Sequence, residues 1–305
     1  MLLFARLRPY AFLGLLVILL AVTLAPPLMA SKAGRAEAKA AEKRKEEPLP
    51  LTPTRKVEFT TGEGTWLSLD VSPDGKAIIF ELVGDLYTIP FTGGEATKVT
   101  KGMGFNSQPR YSPDGKKIAF ISDQGGAENV WISNVDGSNP RQLSQDQESE
   151  FLSPAWTPDG NYVIASRFTQ FPIGACELWM YHVKGGAGVK VTKSHAKPDT
   201  RPRQWMNALG ASPSKDGRYL YYASRQNLNG FYNVTFPLSQ ITRRDLTTGD
   251  EDTITDAPGS GMSPRISPDG NLLIYATRTE TETGFRIRDL KNGEEHWLKL
   301  SLIHI

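Results

Sequence analysis

Ser72-Pro73-Asp74-Gly75, followed at once by the apolar run Ala77-Ile78-Ile79-Phe80, is the stretch on which the reading of this sequence turns. Proline sets φ for the first turn residue, and aspartate can bond its own backbone. Glycine takes the left-handed conformation that closes a bulged three-residue hairpin loop. The unit returns as Ser112-Pro113-Asp114-Gly115, Thr157-Pro158-Asp159-Gly160, Ser214-Lys215-Asp216-Gly217 and Ser267-Pro268-Asp269-Gly270. The five turn aspartates lie 40, 45, 57 and 53 residues apart. A hairpin repeated at that period predicts the blades of a β-propeller.

The segments around each turn agree. Ile118-Ala119-Phe120-Ile121, Tyr162-Val163-Ile164-Ala165, Tyr219-Leu220-Tyr221-Tyr222 and Leu272-Leu273-Ile274-Tyr275 are continuous enough to be strands buried on both faces. A third, alternating strand follows, as in Asp85-Leu86-Tyr87-Thr88-Ile89 and Glu177-Leu178-Trp179-Met180-Tyr181, then a Gly turn and a short polar strand such as Thr97-Lys98-Val99-Thr100. The expected fold is all-β: a β-propeller of four-stranded blades within 56–300. Five blades are visible, near 64–102, 105–145, 150–194, 208–257 and 261–300.

The turn, the apolar strand and the "x-L-W/Y" strand together resemble the PD40 repeat of TolB-like propellers. Gly84-Asp85-Leu86-Tyr87-Thr88-Ile89-Pro90, Gln108-Pro109-Arg110-Tyr111, Glu177-Leu178-Trp179-Met180-Tyr181-His182 and Tyr232-Asn233-Val234-Thr235-Phe236-Pro237 resemble, more closely, the N-terminal propeller of large exported bacterial amidohydrolases. That resemblance implies a downstream metal-dependent barrel with a His-x-His pair and further His, Lys and Asp ligands. A divalent metal such as zinc is expected only there, and no cofactor in this chain.

Composition narrows the choices. Charged residues make up 22% of the 305, hydrophobic residues 39%, with 28 Gly and 21 Pro, a globular and turn-rich profile. The 35 Lys and Arg nearly balance 33 Asp and Glu, and Arg6 and Arg8 in the acid-free N-terminal stretch account for the excess. No general field draws in nucleic acid, and membrane contact is expected only through the N-terminal segment. Residues 1–30 read as a signal peptide or N-terminal anchor, with Arg6 and Arg8 before the apolar run Ala11–Ala25. Residues 31–55 read as a charged, Pro-rich linker. The protein is therefore expected outside the cytoplasm, in the periplasm or beyond the cell. Ser301–Ile305 reads as a non-native tail, so the expected chain is C-terminally truncated and its ring incomplete.

No catalytic or metal-binding residue is assigned. His182, His195, His296 and His304 show no ligand spacing, and the one cysteine, Cys176, reads as a packed thiol. Gly259-Ser260-Gly261 lacks the spacing of a nucleophile elbow, and Gly185-Gly186-Ala187-Gly188 reads as a hairpin turn. Asp74, Gly75, Asp114, Gly115, Asp159, Gly160, Asp216, Gly217, Asp269 and Gly270 are assigned as structural turn residues. Several arginines recur near the turn-flanking strands, among them Arg110 and Arg265, and Arg201, Arg203, Arg243 and Arg244 are candidates for an anion or carboxylate site. Arg167, Arg225 and Arg278 close the same strand in successive blades and form a candidate ligand rim, or else bridge blade to blade with the turn aspartates.

The sequence-level function is a non-catalytic binding or scaffold propeller of an exported amidohydrolase. Its expected partner is its own missing C-terminal domain or an envelope protein or peptide. The alternatives are a free-standing TolB-like periplasmic binding protein and the propeller of a prolyl-oligopeptidase-like serine peptidase.

Overall fold

The computed structural model describes residues 57–65, 67–169, 175–192, 207–225, 239–256, 259–278 and 283–298. The chain divides into two compact units, Met1–Gly62 and Glu63–Ile305, and only residues 57–62 of the first are described, without a strand. The predicted signal (1–30), linker (31–55), tail (301–305), Arg201, Arg203, His195, His304 and the 232–237 stretch lie outside the described residues.

The second unit holds five antiparallel four-stranded sheets in chain order. Blade 1 is β1 (Leu69–Val71), β2 (Ala77–Leu82), β3 (Asp85–Pro90) and β4 (Thr97–Lys98). Blade 2 is β5 (Asn106–Tyr111), β6 (Lys117–Ser122), β7 (Asn129–Asn134) and β8 (Arg141–Gln142). Blade 3 is β9 (Ser149–Trp156), β10 (Tyr162–Thr169), β11 (Ala175–His182) and β12 (Val189–Lys190). Blade 4 is β13 (Ala208–Pro213), β14 (Tyr219–Arg225), β15 (Ser239–Asp245) and β16 (Glu251–Thr253). Blade 5 is β17 (Met262–Ile266), β18 (Leu272–Arg278), β19 (Thr283–Asp289) and β20 (Glu295–Leu298). No helix forms among the described residues. The all-β propeller expected from the repeats is the observed fold.

One turn chemistry joins the first two strands of every blade. The Ser or Thr hydroxyl donates to the turn aspartate at 2.5–2.6 Å. The turn glycine amide donates back to the Ser or Thr carbonyl at 2.8–2.9 Å. Each glycine sits at φ between 69° and 83°, where a Cβ would be strained. The glycine also faces the preceding turn: a Cβ at Gly115 would meet Pro73 at 3.6 Å, and one at Gly270 would meet Lys215 at 3.3 Å.

The fourth strands are short because a hydroxyl replaces their ladder. Thr100, Ser144, Thr192 and Thr255 accept the amides of Leu86, Val130, Leu178 and Ile241 at 2.8–3.0 Å. Each bond satisfies a buried donor that the strand no longer pairs.

Hydrophobic burial lies between the blades. Ile79, Leu86 and Val99 pack on Tyr111, Ile118 and Phe120 between blades 1 and 2. Ile121, Val130 and Leu143 meet Phe151, Val163 and Tyr181 between blades 2 and 3. Ile164 and Leu178 meet Leu220 and Tyr222, and Tyr221 and Ile241 meet Leu273 and Tyr275, at the next two junctions. Each such aliphatic or aromatic side chain contributes about 1.5–3 kcal/mol when fully buried. Among the described residues, no such cluster joins blade 5 to blade 1; Phe80 and Tyr87 on one side, and Ile274 and Ile287 on the other, are only partly buried.

Two outcomes follow from this packing. Strand Ile118–Ile121 is buried on both faces whereas Leu272 and Ile274 of β18 are partly exposed. Amide hydrogen exchange at 118–121 should be slower by about tenfold or more than at 272–275, and equal protection would contradict the asymmetry. The second outcome concerns acid. Asp74, Asp114, Asp159, Asp216 and Asp269 are all held below the usual aspartate range, first by the Ser or Thr hydroxyl; Asp269 drops to about 2. A depressed carboxylate favours the fold above its unfolded pKa, near 3.9, and that help is lost as pH falls through the folded pKa. Stability should therefore fall from about pH 4 toward 2, and Ser267→Ala should return the Asp269 pKa, followed by NMR, toward its ordinary value. An unmoved pKa in that variant would refute the hydroxyl as its cause.

Candidate functional site

The inner strands β1, β5, β9, β13 and β17 lie side by side around the axis, each packed beside the next. Their register contains a repeated irregularity. β5, β9, β13 and β17 each carry one extra residue against the second strand, a β-bulge. Gln108, Ser153, Gly210 and Ser263 occupy it with φ of 54°, 53°, 68° and 50°. Every one of them stands six residues before its turn aspartate, the position of Ser68 in blade 1.

The bulge amides reach to the preceding blade. Gln108 N donates to Ser68 Oγ at 2.9 Å, Ser153 N to Gln108 Oε1 at 2.7 Å and Gly210 N to Ser166 Oγ at 3.0 Å. These bonds satisfy backbone groups freed by the bulge and tie the inner strands together.

Two residues further on, at the position four before each turn aspartate, stand Asp70, Arg110, Ala155, Ser212 and Arg265. They line a single cavity of about 220 Å³, with Tyr111, Trp156, Pro73 and Pro113 among its other walls. All five blades contribute, so the cavity is the mouth of the central channel on the side of the turns.

The three charged groups in the mouth have different duties. Asp70 Oδ2 accepts the Tyr111 amide at 2.8 Å, as Ser212 Oγ accepts the Ile266 amide at 3.0 Å. Arg110 Nη1 donates to the Leu69 and Pro109 carbonyls at 2.7 and 2.8 Å, and Trp156 Nε1 donates to the Arg110 carbonyl at 3.0 Å. Arg110 Nε is buried without a hydrogen-bond partner. Arg265 is an exposed residue that lines the cavity, and its side chain makes no hydrogen bond or ion pair among the described residues. The surrounding blades partly desolvate both guanidinium groups and lower their pKa values, that of Arg110 to about 10 with Arg265 repelling it, and arginine keeps its charge at neutral pH. Burial raises the Asp70 carboxyl against the opposing pull of the Tyr111 amide, Arg110 and Arg265. With Asp70 ionised, the two guanidinium groups leave the mouth one net positive charge.

The residues chosen from sequence lie elsewhere. Arg225 and Arg278 end β14 and β18, and Arg167 lies two residues before the end of β10, all three remote from the turns. Arg167 pairs with Asp146, donates to Ser149 Oγ at 3.1 Å and lies 4.6 Å from the Trp179 ring. It borders a cavity of about 1080 Å³ lined by Glu128, Glu148 and Glu150, where burial and then the Glu150 and Asp123 charges push the Glu128 carboxyl up. The Arg225 Nε is buried without a hydrogen-bond partner, and Arg278 N donates to the Gly259 carbonyl at 3.2 Å. The bridges considered between these arginines and the turn aspartates give way to the Arg167–Asp146 pair, because each turn aspartate is turned onto its own Ser or Thr. Arg243 and Arg244 pair with Asp252 and Glu251 at the edge of blade 4.

Cys176 is buried and burial, aided by Glu177, pushes its thiol up to about 12, which leaves no thiolate for nucleophilic work. His182 Nδ1 accepts the Lys184 amide at 3.0 Å and its ring packs on Tyr162. Among the described residues, no group of three or more His, Cys, Asp or Glu could hold a metal ion.

In the sequence Arg110 and Arg265 are legible as turn-flanking residues, but neither lies near Asp70 along the chain. The signal was their common offset of four from the turn aspartate.

Against known proteins, the family described as the Tricorn protease N-terminal beta propeller domain matches residues 67–229. An uncharacterized protein of Agrobacterium fabrum is 34% identical over 97 residues, 30% of this chain and 33% of its own. An uncharacterized peptidase of Bacillus subtilis is 25% identical over 205 residues, 67% of this chain and 25% of its own. A Tricorn protease homolog of Streptomyces coelicolor is 31% identical over 98 residues, covering 32% of this chain and 9% of its own. This chain thus spans a third or less of the length of each. A TolB structure from Agrobacterium tumefaciens superposes with TM-score 0.60 at 20% identity, over 76% of this chain and 79% of that one, a likeness of fold.

If Arg265 has no structural partner, its removal should cost little. Arg265→Ala is expected to change unfolding stability by no more than about 0.5 kcal/mol, whereas Trp156→Phe should lose about 0.5–1.5 kcal/mol with its hydrogen bond. Denaturant titration reads both, and a larger loss for Arg265→Ala than for Trp156→Phe would give the arginine a structural duty.

Proposed function

Because the chain belongs to the family of the Tricorn protease N-terminal β-propeller domain, we propose that it is a binding propeller, one that holds a peptide or protein segment at its channel mouth and leaves hydrolysis to another domain or protein. The observation that carries this reading is the convergence of all five inner strands on one small, charged, partly desolvated cavity. A mouth built this way offers shape and polar contacts, and among the described residues no group of three or more His, Cys, Asp or Glu could hold a metal ion.

The hydrolytic companion is a proposal on separate grounds. The resemblance of the 84–90 and 177–182 stretches supports a metal-dependent amidohydrolase, in an exported protein of the periplasm or beyond. The match to a peptidase over 205 residues supports a peptidase companion instead. In either case the propeller's part is the same: to admit or hold an extended chain whose bonds are cut elsewhere.

A peptide library offered to the purified chain tests this. Bound peptides should alter the fluorescence of Trp156, the Trp156→Phe variant should lose that response, and every peptide should be recovered intact with zinc present. Chelator-sensitive cleavage, or binding that leaves the mouth untouched, would overturn the reading.

A further inference from the structure

We propose that the channel mouth is selective for a carboxylate, carried either on an acidic side chain or on the C-terminus of a peptide, with Arg265 as the group that receives it. This rests on the reading of the mouth as the binding site and names the chemistry it selects.

Arg265 brings unspent hydrogen-bonding capacity to the mouth. Position four before the turn aspartate serves as an acceptor for the next blade's amide in blades 1 and 4, through Asp70 and Ser212. In blades 2 and 5 the same position holds an arginine, which cannot accept. Arg110 turns its Nη1 onto backbone carbonyls, including Leu69 O of the preceding blade, and so has a structural use. Arg265 lines the cavity but makes no such bond among the described residues, although a guanidinium carries five donors. Asp70 is close enough to both arginines to attract them, yet lies within ion-pair distance of neither, because its carboxylate is held by the Tyr111 amide.

The charge and size of the cavity choose the ligand. Asp70, Arg110 and Arg265 are its charged walls, so the net charge is +1 and suits a monoanion. A dianionic phosphate would meet Asp70 at close quarters, where a half-desolvated site amplifies repulsion. The 220 Å³ of the mouth equals the volume of about seven waters, room for one side chain or terminal residue and not for a folded element. A planar fork and a carboxylate pair through two parallel hydrogen bonds, stronger than neutral ones.

Four probes separate the possibilities: an amidated pentapeptide with a central Glu, its Gln counterpart, the Gln peptide with a free C-terminus, and inorganic phosphate. Binding to the full-length chain is measured by calorimetry, with amide shifts of Tyr111 and Ile266 marking the mouth. At least one carboxylate peptide should bind about tenfold or more tightly than the neutral peptide, and which one does so identifies the source of the carboxylate. Arg265→Gln should abolish that preference, and Asp70→Asn, which raises the net charge, should enlarge it. Equal binding of acidic and neutral peptides at the mouth, or tighter binding of phosphate than of either carboxylate peptide, overturns the carboxylate proposal while leaving the binding site in place. Peptide binding that leaves the Tyr111 and Ile266 amides unmoved, or no peptide binding at all, overturns both.

Discussion

A four-stranded sheet whose second strand is apolar on both faces cannot bury itself, and this constraint governs the molecule. Ile118 and Phe120 need blade 1, while Ala119 and Ile121 need blade 3. The same division holds in blade 4, where Leu220 and Tyr222 face blade 3 and Tyr221 and Ala223 face blade 5. Twisted sheets stacked in this manner fan about an axis, and their first strands are carried to the centre. Apolar burial is completed between the blades. The axis is left as a solvated interior surface on which charge can stand.

The inner strands then solve a local problem that shapes the site. A bulge frees backbone groups, and the freed amides are satisfied by side chains of the preceding blade, Ser68, Gln108 and Ser166. The bulge lies just before the position that lines the channel, so the residue there is set by the same irregularity that stitches the ring. Where that residue is Asp70 or Ser212 it joins the stitching. Where it is Arg265 it does not, and a charged group is kept among the blades without a bonding duty in the fold.

The two ends of the ring differ in consequence. At the turn end, each turn aspartate is held by its own hydroxyl and by a backbone amide, and the cavity itself is lined by the inner-strand charges Asp70, Arg110 and Arg265. At the other end, Arg167 is matched by Asp146 and surrounded by further acids. For Arg167, then, the loop between blades 2 and 3 supplies the acid that pairs with the repeated arginine.

The sequence by itself determined the repeat, the hairpin turns, the strand order within a blade and the absence of a visible catalytic motif. Each of these depends on contacts within a few residues: Ser267 and Asp269 form their hydrogen bond wherever the blade is placed. It also contained the offset that relates Asp70, Arg110 and Arg265, since all stand four before a turn aspartate. Their meeting was decided only by the tertiary structure. Asp70 of the first blade and Arg265 of the fifth line one cavity, and that meeting depends on how four interfaces pack in succession. Arg167 shows the converse, because its repeated position was plain in the chain while its partner, Asp146, came from the connection between two blades. Local turn chemistry is short-ranged and can be read residue by residue; the angle between blades is the sum of many side-chain contacts and appears only when the sheets are stacked.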